Sequence, residues 1–342
     1  MRGIPFEQIS FVVQGPVDKT LQQSTGKPVT ESCIESLRTW FPGSTIILST
    51  WEGADVSGLD YDALALSADP GAWNFMLPGD PRVLRSNGNR QIVSTRAGLK
   101  HVGTRFAAKV RSDVVLSGNA WLDLWDKFPR RAPEWRMFRE RIVTGNLYAR
   151  NPLREVPKPF HPSDWFMFGL NEDLLLLWDI DLEPEPESSY WFRSRPHPKC
   201  MSQSHDTRRY QAEQYLWKRL LEKFGPMQFD NLADATPENI RLTQLTFANN
   251  LIILDAAQLP LMIQKHGTPR RMWRYCCYSH REWARLYRRY CCGERLESAL
   301  ERLLDVRHIG EGLYCLVPDS VRDGAWKLSS VGKQIRNLVR AA

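Results

Sequence analysis

The sequence predicts an α/β domain built on a parallel, doubly wound sheet with crossover helices. Short apolar or β-branched runs recur at residues 9–13, 45–49, 64–67 and 106–116, and segments with helical apolar spacing separate several of them. The last run is apolar on both sides of a Lys109-x-Arg111-x-Asp113 core, as expected of a central strand buried on two faces. Charges at the end of such a strand are costly unless paired, hydrated or bound to a ligand. Ligands in open α/β sheets sit beyond the carboxyl ends of the strands. Asp113, with Lys109 and Arg111, is therefore either a functional site or an internal pair that pins a loop.

Ile9-Ser10-Phe11-Val12-Val13 is the first strand and ends at Gln14-Gly15-Pro16. Residues 18–28 are polar and aperiodic, a loop. Thr30 reads as the N-cap of a helix carrying Cys33, Ile34, Leu37 and Phe41, stopped by Pro42-Gly43. Residues 45–49 form the second strand, closed by Thr50-Trp51-Glu52, and 64–67 the third, stopped by Asp69-Pro70-Gly71. Residues 72–88, rich in Gly, Pro and Asn, read as a mobile loop. A helix over 89–102 leads into the Lys109-x-Arg111-x-Asp113 strand.

Further on, 121–128 reads as a short helix, and 140–148 and 165–169 as strands. Asn171 reads as the N-cap of a helix to Asp179. A proline-bearing loop spans 181–200, an amphipathic helix 208–224 and a last strand 247–254. No dinucleotide-binding glycine fingerprint and no P-loop follows any strand, which argues against a nicotinamide enzyme and a P-loop kinase.

With 342 residues and 42% hydrophobic content the chain can bury a large core. No apolar run is long enough to span a bilayer, and the first residues lack a signal-peptide core, so a cytosolic protein is expected. Seven cysteines include the vicinal pairs Cys276-Cys277 and Cys291-Cys292 and show no zinc-ligand spacing; reduced thiols are the simplest reading. The net charge of +7 is uneven: from Lys265 onward there are 16 Lys/Arg against 8 Asp/Glu, while the rest is near neutral. The tail is thus expected to meet an anionic surface. Between Arg270 and Cys292, arginines alternate with Trp273, Tyr275, Tyr278, Trp283, Tyr287 and Tyr290. This suits peripheral contact with anionic membrane, or else a helical subdomain whose aromatics pack inward. No nucleic-acid-binding motif is present, and no nucleic-acid partner is expected.

Several phrases together resemble the WavE lipopolysaccharide-synthesis family. They are Ile9-Ser10-Phe11-Val12-Val13-Gln14-Gly15-Pro16, Ile46-Ile47-Leu48-Ser49-Thr50-Trp51-Glu52, Asp69-Pro70-Gly71, Asn89-Arg90-Gln91, Lys109-x-Arg111-x-Asp113, Ser163-Asp164-Trp165-Phe166 and Glu213-Gln214-Tyr215-Leu216. The resemblance implies a GT-A-like glycosyltransferase, with a mixed, mainly parallel sheet flanked by helices and a helical, basic C-terminal region. It would carry a sugar from a nucleotide-sugar donor to lipopolysaccharide or another surface glycan. Residues 1–265 would be the catalytic domain, its nucleotide-binding half about 1–118 and its acceptor half about 119–265, with 266–342 the basic region. A nucleotidyltransferase making an activated sugar, or a non-catalytic member of a glycan-assembly complex, are the rival readings.

By this resemblance the donor lies near Gln14 and the backbone at Gly15, with Glu52 or Asp69 on base or ribose. The diphosphate leaving group needs positive charge. GT-A enzymes usually supply it through a divalent Mn or Mg ion held by Asp-x-Asp, and here the matching place reads Arg111-Ser112-Asp113. Asp113 with His205 would hold the metal; alternatively Arg90, Lys109 and Arg111 neutralise the phosphates without one. Glu213, early in its helix, is the candidate general base, and Asp164 the candidate for acceptor hydroxyls. The structural alternatives are a surface Glu213 paired with Arg209 or Lys218 and a turn-capping Asp164. Trp51 and Trp165 could stack on a base or sugar.

Overall fold

β1 (Ile9–Gln14) is buried at every residue and lies mid-sheet, which is why its sequence is apolar on both faces. The computed structural model describes residues 3–21, 26–76, 83–154, 157–193, 195–196, 207–263 and 276–294. α1 (Val29–Trp40) buries Cys33, Ile34 and Leu37 and crosses to β2 (Thr45–Trp51), parallel to β1. β3 (Ala63–Ser67) pairs parallel with β2.

The next segment departs from expectation. In place of a loop across 72–88, β4 (Trp73–Met76) and β5 (Val83–Ser86) pair antiparallel. Trp73 and Phe75 are buried and Asn74 is exposed, an alternation too short to outweigh the surrounding Gly and Pro in sequence. α2 (Gly88–Lys100) then packs across β1, β2 and β3. Gly98 permits that approach: a Cβ there would overlap Val12 Cγ1 and lie 3.0 Å from Ser49 Cβ. β6 (Phe106–Arg111) runs parallel to β1 on the side away from β2, and β7 (Val114–Leu116) follows a turn.

β8 (Ile142–Gly145) and β9 (Phe166–Leu170) extend the sheet, with β9 antiparallel to both β6 and β8. α3 (Asn171–Trp178) follows. Asn171 is its first residue rather than its cap; Asp173 instead accepts hydrogen bonds from the backbone N–H groups of Arg139 and Glu140. α4 (Ala212–Glu222) opens with a Gln211/Gln214 capping box.

The expected strand over 247–254 is half helix. α5 (Pro237–Asn250) begins at Thr236, whose side chain accepts from Asn239 N, with Pro237 in the first turn, and only then does β10 (Leu251–Leu254) pair parallel with β8. The seven-stranded order is β10-β8-β9-β6-β1-β2-β3, mixed and mainly parallel, because a fully buried strand such as β9 reads alike in either direction. β11 (Leu261–Ile263) pairs with β7. The expected helix at 121–128 is a single 3-10 turn, Ala120–Leu124.

α6 (His280–Cys291) starts at a Ser279/Glu282 capping box and packs on α5. Its Trp283 and Tyr287 are buried and meet Phe128 edge-on at 4.7 and 5.1 Å, leaving Arg281, Arg288 and Arg289 in water. Among the basic, aromatic residues of the tail, 270–275 and everything beyond 294 lie outside the described residues. Among the described residues no helix is long and apolar enough to cross a membrane.

Candidate functional site

The carboxyl ends of β1, β2 and β6, the start of α2 and the turn after β3 enclose a cleft of about 350 Å³. Its floor is stitched by backbone. Gly15 N donates to Ser49 O at 3.1 Å, Ser112 N to Gln14 O at 2.9 Å, and Ser112 Oγ to Pro16 O at 2.7 Å. Gly15 has φ +125°, and a Cβ there would sit 3.0 Å from Ser112 Oγ, so only glycine lets the β1 turn lie this close to the β6 turn. Gln14 is buried and accepts from Ser94 Oγ of α2 at 2.7 Å.

Two arginines line the cleft, each clasped by an acid. Arg90 Nε donates to Asp69 Oδ1 at 2.7 Å and Arg90 Nη1 to Asn87 Oδ1 at 3.1 Å; this contact holds the Asp69 carboxyl below its ordinary range. Arg111 Nε and Nη2 reach the two oxygens of Asp113 at 3.0 and 2.9 Å. The Arg111 guanidinium, its side chain 24% exposed, also lies 3.7 Å over the Trp165 ring. Burial works against its charge, but Asp113, then Asp164 and Glu213, keep it protonated.

Beside the cleft, Lys109 points into the protein. It is fully buried, donates to the Asp164 carbonyl, lies 3.6 Å from Asp164 Oδ2 and sits over the Trp178 ring. Burial lowers its pKa to about 8, against the opposing pull of Asp164. Asp164 is 1% exposed. Glu213, in the first turn of α4, keeps its side chain 18% exposed, with Oε2 3.5 Å from His161 Nε2. His161 Nε2 is 2.7 Å from Gln211 Oε1, and burial, then Arg150 and Lys158, push the imidazole down to about 3, so it is neutral.

Of the residues singled out in sequence, Gln14, Gly15, Asp69, Arg90, Arg111 and Asp113 line this cleft. Glu52 is exposed and not part of its lining. Lys109 and Asp164 form an enclosed pair beneath it, so Asp164 does not face an acceptor hydroxyl but holds Lys109. Glu213 is paired with neither alternative partner: Arg209 binds Glu187 and Asp230, and Lys218 binds Glu222. Asn87 and Gln91 also line the cleft, whereas Tyr148, stacked on Trp165, and His161, beside Glu213, do not. Tyr148 stands out by its backbone, φ +62°, a conformation strained for an aromatic residue.

The donors do not fit the expected metal shell. Both oxygens of Asp113 bond Arg111, Asp69 bonds Arg90, and His205 lies outside the described residues. No group of three His, Cys, Asp or Glu side chains poised for an ion occurs among the described residues. Arg90 and Arg111 place two guanidinium groups in the cleft lining.

Comparison with known proteins gives one family match: the model of the family described as WavE lipopolysaccharide synthesis matches residues 9–308. No curated protein matches the chain. Among solved structures, 4-diphosphocytidyl-2C-methyl-D-erythritolsynthase from Anaerococcus prevotii is 10% identical, and the alignment covers 70% of this chain and 97% of that one with a TM-score of 0.32.

Proposed function

The chain belongs to the WavE lipopolysaccharide synthesis family, and from that premise we propose that it is a GT-A-type glycosyltransferase. It moves a sugar from a nucleotide-sugar donor to lipopolysaccharide or a related surface glycan. The observation that carries this reading is the placement of Arg90 and Arg111 in a cleft at the strand ends, with the Glu213 carboxylate within electrostatic reach of Arg111.

In the inverting form of the reaction, Glu213 takes the proton of an acceptor hydroxyl as its oxygen bonds the anomeric carbon. The bond from that carbon to the diphosphate breaks, and its electron pair leaves with the nucleoside diphosphate. Arg111 and Arg90 meet the charge that develops there, preorganised by Asp113 and Asp69 so that they need no reorientation. Gly15 brings backbone close to the phosphates, and Trp51 offers a ring to the base. The enzyme acts at the inner face of the membrane, where nucleotide sugars and lipid-linked acceptors meet, and the exposed arginines of α6 favour an anionic surface.

The test is release of nucleoside diphosphate from a panel of UDP-, GDP-, CMP- and dTDP-sugars, with and without purified lipopolysaccharide (CMP-sugars releasing the monophosphate). Release from one donor class that depends on the acceptor supports the reading. No turnover of any donor, with acceptor present, overturns it.

A further inference from the structure

Arg150 is a buried cation that makes no ion pair among the described residues. Its residue is 5% exposed, and its Nε meets no hydrogen-bond partner among them. Its backbone is fixed: Arg150 N donates to His161 O at 2.9 Å, and the residue bridges antiparallel to Cys277. Arg141, which is also buried, and the half-buried Arg131 and Arg154 behave differently. Arg141 spends its donors on the carbonyls of Ala248, Phe128 and Arg130; Arg131 spends its own on Asn249 O, Arg139 O and Asn250 Oδ1; Arg154 pairs with Glu282. A guanidinium carries five N–H donors and does not deprotonate in proteins, so one that is largely buried, with its Nε enclosed and unbonded, is costly unless an anion arrives.

The position of Arg150 indicates which anion. Its guanidinium lies 5.7 Å from the Tyr148 ring, and Tyr148 stacks on Trp165 at 5.9 Å with 13° between the planes. Trp165 in turn carries the Arg111 guanidinium at 3.7 Å. A run of stacked groups therefore leads from Arg111 in the cleft to Arg150, and Tyr148 along it feels the charges of Arg150, Glu213 and Arg111. The strained left-handed backbone at Tyr148 holds the ring in this run, and strain of that kind concentrates at ligand sites.

We propose that Arg150 is the anion contact of the acceptor subsite, taking a phosphate or carboxylate substituent on the acceptor glycan while the Tyr148 ring packs on the sugar that bears it. This rests on the glycosyltransferase reading for the name of the ligand. The anion site itself does not depend on it.

The experiment follows melting temperature in phosphate-free buffer for the wild type, Arg150→Met and Arg150→Lys, with glucose 6-phosphate, glucuronate or glucose at millimolar concentration. Without ligand, Arg150→Met is expected to melt at or above the wild type, since it removes a largely buried charge that makes no ion pair among the described residues. One or both anionic sugars should raise the wild-type melting temperature while glucose does not. The response should weaken at least tenfold in Arg150→Met and survive in part in Arg150→Lys. Glucose 6-phosphate acting alone assigns a phosphate, and glucuronate acting alone a carboxylate. An Arg150→Met protein that melts well below the wild type, an equal response to glucose, or an undiminished response in Arg150→Met overturns the proposal. Nucleotide binding, measured alongside, should be the same within twofold in the wild type and Arg150→Met. Its absence from both would count against the glycosyltransferase reading and leave the anion site to be judged by the sugars.

Discussion

Arg111 and Asp113, two residues apart at the end of β6, face each other through two parallel hydrogen bonds, 3.0 and 2.9 Å long. The carboxylate is nearly enclosed, while the guanidinium keeps an open edge toward the cleft. Asp113 thus aims Arg111. Replacing Asp113 with Ala leaves Arg111 without its main partner, and is expected to cost about 2–4 kcal/mol of stability and to weaken nucleotide binding. Urea unfolding and nucleotide titration check both parts; an unchanged affinity would leave Asp113 a purely local clasp.

Glu213→Gln preserves size and the capping box around it. Transfer to the acceptor is expected to fall about 10²–10⁴-fold, as for loss of a general base, with little change in nucleotide affinity. Acceptor-dependent turnover by this variant within tenfold of the wild type would remove Glu213 from the role of base.

His161 makes folding sensitive to acid. Folding takes its pKa from 6.5 to about 3, because burial and then Arg150 and Lys158 disfavour the imidazolium. Between those values the unfolded chain holds a proton that the folded chain does not. Stability therefore falls as pH drops from 6.5 toward 3, by at most about 1.4 kcal/mol per pH unit, and this contribution is flat above 6.5. His161→Gln should flatten that slope when unfolding free energy is measured across the window.

Gly98 is a packing glycine. In Gly98→Ala the new methyl meets Val12 and Ser49 where α2 crosses β1 and β2, and a destabilisation of about 1–3 kcal/mol is expected. Denaturant unfolding reads it directly, and a neutral result would mean that α2 can move off the sheet at no cost.

The central strands were legible because each is apolar on both faces, and the cleft followed from where they end: six of the eight donor-side residues read from sequence line it. Direction was not legible for β9, and helix was not distinguishable from strand at Phe247, where four residues of α5 run straight into β10. The Thr236-Pro237 cap was the available signal for that helix. Asp164 could not be separated from a site acid by local sequence, since its enclosure depends on Lys109, 55 residues earlier. Arg150 was hidden for a related reason. Residues 130–154 hold several arginines, and only the tertiary fold decides which of them find carbonyls or carboxylates.

The most direct test of the arginine-lined donor cleft is a thermal-shift panel of UDP, GDP, CMP and dTDP, each with Mn, with Mg and with chelator, on the wild type and Arg111→Gln. The expected result is a rise in melting temperature for one nucleotide class that persists in chelator and disappears in Arg111→Gln. A rise that needs the metal and survives in Arg111→Gln would contradict it.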